Sequence, residues 1–106
     1  MKTLEKLKAQ FEKGEDTALL RFSLGSAYLK KREINNAIEH LSKAVEMDNG
    51  QATSWKLLGQ AYASNEQYEE ARNAFEKSLE LAEAKNNHFI LKELNIFLAR
   101  LDEVSN

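Results

Sequence analysis

The chain has no cysteine and no proline, and only four glycines. Without cysteine it can form no disulfide and offer no thiolate, and nothing demands an oxidising compartment. Without proline, its breaks must be read from glycine and asparagine. No run of about 18 apolar residues occurs, so no membrane span is expected. The opening "MKTLEKLKAQ" is charged and amphipathic and lacks the apolar core of a secretory signal, so a cytoplasmic location is expected. A basic excess is missing as well. Lys and Arg number 15 against 17 Asp and Glu, a formal net charge of -2. Nucleic-acid proteins usually show the opposite imbalance, so nucleic acid is not expected as a partner.

What is present points to one soluble helical domain. A length of 106 residues suits one domain. With 42% hydrophobic and 30% charged residues it has the material for a core and is not of disordered composition. Apolar residues recur at spacings of three and four with no sustained alternation, which predicts helix throughout. Gly14 reads as a helix stop, with Asp16 and Thr17 as N-cap candidates behind it. Asn49-Gly50 is a turn dipeptide. Gly25 and Gly59 are different, because each interrupts a helical pattern at a cost of about 1 kcal/mol against Ala. They stand 34 residues apart. At the same interval Leu24 meets Leu58, Ala27 meets Ala61, Tyr28 meets Tyr62, Ala37 meets Ala71 and Leu41 meets Phe75. An internal repeat of this length is the mark of a helix-pair solenoid.

The residues Trp55, Leu58, Gly59 and Tyr62, followed by Ala71 and Phe75, resemble the W-x2-L-G-x2-Y and A-x3-F elements of a tetratricopeptide repeat. The stretch from Arg21 to Asp48 resembles the same repeat, with Leu24, Gly25, Tyr28, Ala37, Leu41 and Ala44. It departs at Arg21, where the aromatic would stand. Both repeats lack the closing proline and have Asn49 and Glu83 there. The resemblance, to small bacterial-type proteins of the family, implies an all-α, right-handed α-solenoid of six helices. Repeats at 18–51 and 52–85 would lie between an N-terminal capping helix within 1–17 and a C-terminal one within 86–106. It also implies that Gly25 and Gly59 lie where the helices of a pair cross closely, with Ala37 and Ala71 facing them.

The ends extend this frame. Residues 2–13 carry Leu4, Leu7 and Phe11 in register with Ile38, Leu41 and Val45, as the second helix of a missing repeat would. The helix after Tyr68 has no breaker until Asn86-Asn87 and should run long. Adding two residues to the 34-residue register then puts Leu91, Leu94 and Leu98 where Trp55, Leu58 and Tyr62 stand. The last helix is apolar over more of its circumference than one buried face needs. Phe97, Ile90, Leu101 and Val104 remain after that face is filled, so either deep packing or an exposed patch is expected.

Candidates for chemistry are few. His40 and His88, the two imidazoles, stand in charged stretches that read as exposed helix surface. No metal-ligand spacing, P-loop or nucleophile elbow occurs. Glu15-Asp16 and Glu69-Glu70 sit at helix starts and Lys30-Lys31-Arg32 at a helix end, where the helix dipole accounts for them. No catalysis, cofactor or metal is expected. The resemblance implies instead a concave groove lined by the first helix of each pair. Its lining would be Leu19, Phe22, Ser26, Leu29 and Lys30, then Thr53, Lys56, Gln60, Ala63 and Ser64, then Phe89, Lys92 and Ile96. These positions hold lysines on all three helices, apolar groups at both ends and no acid, which suits an acidic and apolar peptide or partner segment. The chaperone-tail clamp of one subset of the family is missing, since Phe22, Ser26 and Leu57 stand at its positions. The function expected is a protein-interaction module. The alternative is a structural protein that homodimerises through its last helix.

Overall fold

The three- and four-residue apolar spacing is realised as six helices in the computed structural model, which describes residues 3–105. They are α1 (Leu4–Glu12), α2 (Ala18–Lys30), α3 (Ile34–Met47), α4 (Ala52–Ser64), α5 (Tyr68–Ala84) and α6 (His88–Ser105). No strand is present among the described residues. Lys2, expected in the first helix from the sequence, lies outside the described residues. The long helix is α5, with 17 residues against 14 for its counterpart α3. α6 starts at His88, two residues later than a strict repeat of α4 would place it, as the shifted register requires.

The helix ends follow local chemistry. Thr3 and Thr17 accept hydrogen bonds from the backbone N–H groups of Lys6 and Leu20, capping α1 and α2. Asp16, the other N-cap candidate, is used elsewhere. After α2, α4 and α5 the backbone turns through left-handed residues, Arg32 (φ 64°), Glu66 (φ 60°) and Asn86 (φ 53°). Each turn is closed by a bond from the next N–H back to the helix: Glu33 to Tyr28, Gln67 to Tyr62 and Asn87 to Ala82. This is a Schellman stop made without its usual glycine. Between α3 and α4 the absent proline is replaced by an Asx turn. Asp48 accepts from the Gly50 N–H at 3.2 Å and from the Gln51 amide at 3.1 Å, and the Trp55 indole N–H donates to the Asn49 carbonyl at 2.9 Å.

The helices pack as pairs, α2 with α3 and α4 with α5. α3–α4 and α5–α6 contacts stack the pairs, and α1 covers the front of α2. One buried cluster runs from Leu4 and Leu7 through Leu24 and Leu41 to Leu58, and a second joins Phe75 and Ala82 to Ile90, Leu94 and Leu101. The crossings are as close as the glycines imply, but the facing residues differ from the expectation. A Cβ on Gly25 would lie 2.4 Å from Leu41 Cγ, and one on Gly59 would lie 2.5 Å from ring carbons of Phe75. Ala37 and Ala71, though fully buried, are not the nearest neighbours. The glycine is a hole that receives a large side chain one turn further along the partner helix.

His40 corrects a second expectation, because it is buried rather than exposed. Its ring stacks on Tyr28 and meets Phe11 edge-on, both at 5.5 Å between centroids. Arg21 lies with its guanidinium 4.4 Å from the centroid of the Phe11 ring, donates to His40 Nδ1 at 3.2 Å and forms a two-point bond with Asp16 at 2.7 and 3.0 Å. Arginine cannot accept, so Nδ1 is the unprotonated nitrogen of the neutral ring. Burial and the neighbouring Arg21 cation push the His40 pKa below its ordinary 6.5. The Arg21 hydrogen bond holds Asp16 below its ordinary 3.8. Arg21 thus departs from the aromatic repeat position in order to seat α1, with Phe11 and His40 supplying the missing ring surface.

Candidate binding surface

The first helices of the pairs, α2 and α4, and the cap α6 lie next to one another, with α2 touching α4 and α4 touching α6. The residues expected to line a groove are distributed along these three helices. At one end Leu19 and Phe89 are exposed, at 73% and 74%. Phe22 and Thr53 are half-buried beside Leu19, and these three residues line an open cavity of about 430 Å³ with Ala44, Asp48 and Ser54. Ser26, Leu29 and Gln60 are half-buried, while Lys30 is exposed at the end of α2. Lys92 and Ile96 are exposed on α6.

The middle of the face differs from the expected acid-free row of lysines. Lys56 forms an ion pair with Glu93 at 2.8 Å, and its side chain is only 11% exposed. It ties α4 to α6 and is not free for a ligand. The position after Lys92 therefore brings in the acid that the aligned positions themselves lack. The cations outside any ion pair on this side of the described structure are Lys30, Lys92 and Arg100.

Gln60, Ala63 and Ser64 belong to a second cavity, of about 300 Å³, shared with Tyr68 and Phe75 of α5 and with Phe97, Arg100, Leu101 and Val104 of α6. The lining expected from the sequence ends at Ile96 on α6 and omits this part. A signal for it exists, since the two-residue shift that aligns Leu94 with Leu58 also aligns Arg100 with Ser64 and Lys30. Of the α6 residues left over in the sequence, Ile90 and Leu101 are buried and Phe97 is half-buried. The Phe97 ring stacks on Phe75 at 5.5 Å. Val104 is 58% exposed. Arg72 and Asp102 form an ion pair that joins α5 to α6. Deep packing thus accounts for most of the apolar excess.

The polar groups inside the core are occupied. His40 Nδ1 accepts from Arg21, and the Ser78 hydroxyl donates to the Ala52 carbonyl at 2.7 Å. Among the described residues no cluster of His, Cys, Asp or Glu is arranged to hold a metal ion, and no helix is long and apolar enough to cross a membrane.

Comparison with known proteins agrees with this architecture. Family models described as "Tetratricopeptide repeat" match residues 18–51 and 52–85. The chain is 39% identical over 99 residues to TPR repeat-containing protein PA0015 of Pseudomonas aeruginosa, covering 93% of this chain and 94% of that protein. It is 30% identical over 83 residues to human DnaJ homolog subfamily C member 7, covering 78% of this chain but 17% of that protein. Among solved structures, protein BPP2914 from Bordetella parapertussis superimposes with a TM-score of 0.81 at 33% identity, covering 97% of this chain and 90% of that one. MamA of AMB-1 shares the fold, with a TM-score of 0.69 at 19% identity over 95% of this chain and 61% of that one. With both repeats matched and a full-length relative at this identity, the chain belongs to the tetratricopeptide repeat family.

Proposed function

We propose that repeats 18–51 and 52–85, with the capping helices α1 and α6, act as one interaction domain that binds a peptide or partner segment across the face of α2, α4 and α6. Tetratricopeptide repeats are in general protein-interaction modules. One observation carries the choice of face. Five large apolar side chains are exposed among the described residues, and four of them, Leu19, Phe89, Ile96 and Val104, lie on α2 and α6. Exposed apolar side chains concentrated on these two helices favour association there. Lys30 and Arg100, at the far ends of α2 and α6 with no acid paired to them, favour an acidic segment there, whereas Asp48 lines the cavity beside Leu19. Binding rather than catalysis is the reading these side chains support. Self-association through α6 loses most of its support, because Ile90, Leu94 and Leu101 are buried within the protomer itself.

The test is capture of partners from the native lysate by the wild type and by the double variant Leu19→Ser, Phe89→Ser. Both positions are exposed, so the melting temperature should hold while the captured partner is lost. An unchanged set of partners on the variant would move the binding surface elsewhere.

A further inference from the structure

The cavity at the far end of this face is built differently from anything the repeats themselves carry. In the two-residue-shifted register Phe97 stands where the repeats have Ala27 and Ala61, and Arg100 stands where the second has Ser64. The first change supplies a rigid aromatic floor, the stacked rings of Phe97 and Phe75, with Phe75 itself 2% exposed. Leu101, 3% exposed, closes one side, and Tyr68 and Ala63 line others. A floor already packed need not reorganise when a ligand enters, which favours binding.

Size and charge define the occupant. The volume of about 300 Å³ is roughly twice the ~150 Å³ that encloses a benzene-sized ligand. The depression is open to solvent and accommodates one aromatic side chain. The lining includes one charged residue, Arg100, and no acid. The Arg100, Gln60 and Ser64 side chains form no hydrogen bond or ion pair among the described residues. A guanidinium at the lip of an apolar cavity selects a carboxylate held beside an apolar group.

We propose that this cavity, between the end of α4, the start of α5 and the second half of α6, is a subsite for an aromatic side chain of a bound segment whose neighbouring residue is Asp or Glu. The ring enters over the half-buried Phe97, which the buried Phe75 supports from beneath, and the neighbouring carboxylate pairs with Arg100. The subsite rests on the α2–α4–α6 binding reading and adds the chemistry that one position of the segment must carry.

The test uses three small probes in NMR titrations of the ¹⁵N-labelled full-length protein: acetyl-Phe-Glu-amide, acetyl-Phe-Gln-amide and acetyl-phenylalanine. The amide signals of Ser64, Phe97, Arg100 and Leu101 should shift with acetyl-Phe-Glu-amide. That probe should bind about two- to fivefold more tightly at low salt than the Gln probe, the range of a solvent-exposed ion pair. Arg100→Gln should equalise the two, with weak binding of the Phe-Gln probe retained. Equal affinities on the wild type, or no shift at these four residues, would overturn the proposal. Tighter binding of acetyl-phenylalanine would also overturn it, in favour of a receptor for a free terminal carboxylate. Shifts confined to Leu19, Phe22 and Thr53 would overturn the subsite and leave the wider binding face standing. Failure of that wider reading shows separately, as unchanged capture by the Leu19→Ser, Phe89→Ser variant.

Discussion

Replacing Gly59 by Ala adds one methyl group to a helix and should nonetheless destabilise the protein. Helix propensity alone favours Ala by about 1 kcal/mol. Against this stands the crossing with α5. The new Cβ would lie 2.5 Å from two Phe75 ring carbons and 3.0 Å from a third. Unstrained carbon contacts are about 3.5–4.0 Å, so roughly 1 Å of movement is needed. Phe75 cannot turn aside cheaply, because it is 2% exposed and stacked on Phe97. Overpacking of this kind costs about 1–3 kcal/mol, and the immobile ring puts Gly59 in the upper part of that range. The net loss is then about 1–2 kcal/mol, or a fall of about 5–10 °C in melting temperature for a domain of this size. Asn95 provides the control. It occupies the matching position on α6, is exposed and has no helix packed over it among the described residues. Asn95→Ala should gain about half a kcal/mol from propensity. Thermal and urea denaturation of both variants, with the double change Gly59→Ala, Phe75→Leu, separates the contributions. If the clash is steric, the smaller residue at 75 relieves it, and the two changes couple favourably by more than about 0.5 kcal/mol. A Gly59→Ala melting temperature above wild type, matching Asn95→Ala, would refute the close-crossing argument.

Three further outcomes follow from the same structure. Because the His40 pKa is lowered in the fold, the unfolded state binds more protons below the ordinary value of 6.5, so stability should fall as pH drops through that value and level off once the folded ring titrates. Urea denaturation between about pH 7.5 and 5 should show this fall in the wild type and much less of it in His40→Gln; equal pH dependence in both would remove His40 as the cause. Lys56→Glu, which sets two carboxylates against each other between α4 and α6, should cost about 2 kcal/mol, Lys56→Met less, and the exchange Lys56→Glu, Glu93→Lys should recover most of the loss in a denaturation cycle. Glu66→Gly should be neutral or stabilising by up to about 1 kcal/mol, since a left-handed turn residue costs about 1–2 kcal/mol that glycine avoids, less the entropy glycine loses on folding; a clearly lower melting temperature would mean the Glu66 side chain has a role the turn does not show.

The repeat is legible in the sequence because its determinants are local and doubled. Leu24 and Leu58, Gly25 and Gly59, and Tyr28 and Tyr62 recur 34 residues apart, so one pattern supports the other. The partners across each crossing are less legible. Position 37 or 41 could face Gly25 in a one-dimensional pattern, and only the relative rotation of the two helices selects Leu41. His40 escapes the sequence for a related reason. Its neighbours Glu39 and Lys43 are exposed, but it points the other way, into a gap bounded by Phe11 from a helix 29 residues earlier. Lys56 looks free in the sequence because its partner Glu93 lies 37 residues away, outside any repeat relation.

α6 shows where repetition ends and why its surface is distinct. A helix that begins a further pair would need a small residue where Gly25 and Gly59 stand, because the partner helix sends Leu41 or Phe75 into that hole. α6 has Asn95 there, exposed, and no partner helix follows it among the described residues. It keeps Leu94 where α4 has Leu58, so the face turned toward α4 and α5 still obeys the repeat. With no partner helix on its other side among the described residues, it carries bulk that the repeats do not. Phe97 replaces a repeat alanine and stacks on Phe75 in the space of the last crossing. The helix therefore seals the core with Leu94, which matches the repeat, and with Ile90 and Leu101, which do not, while Phe97 and Arg100 shape a separate cavity.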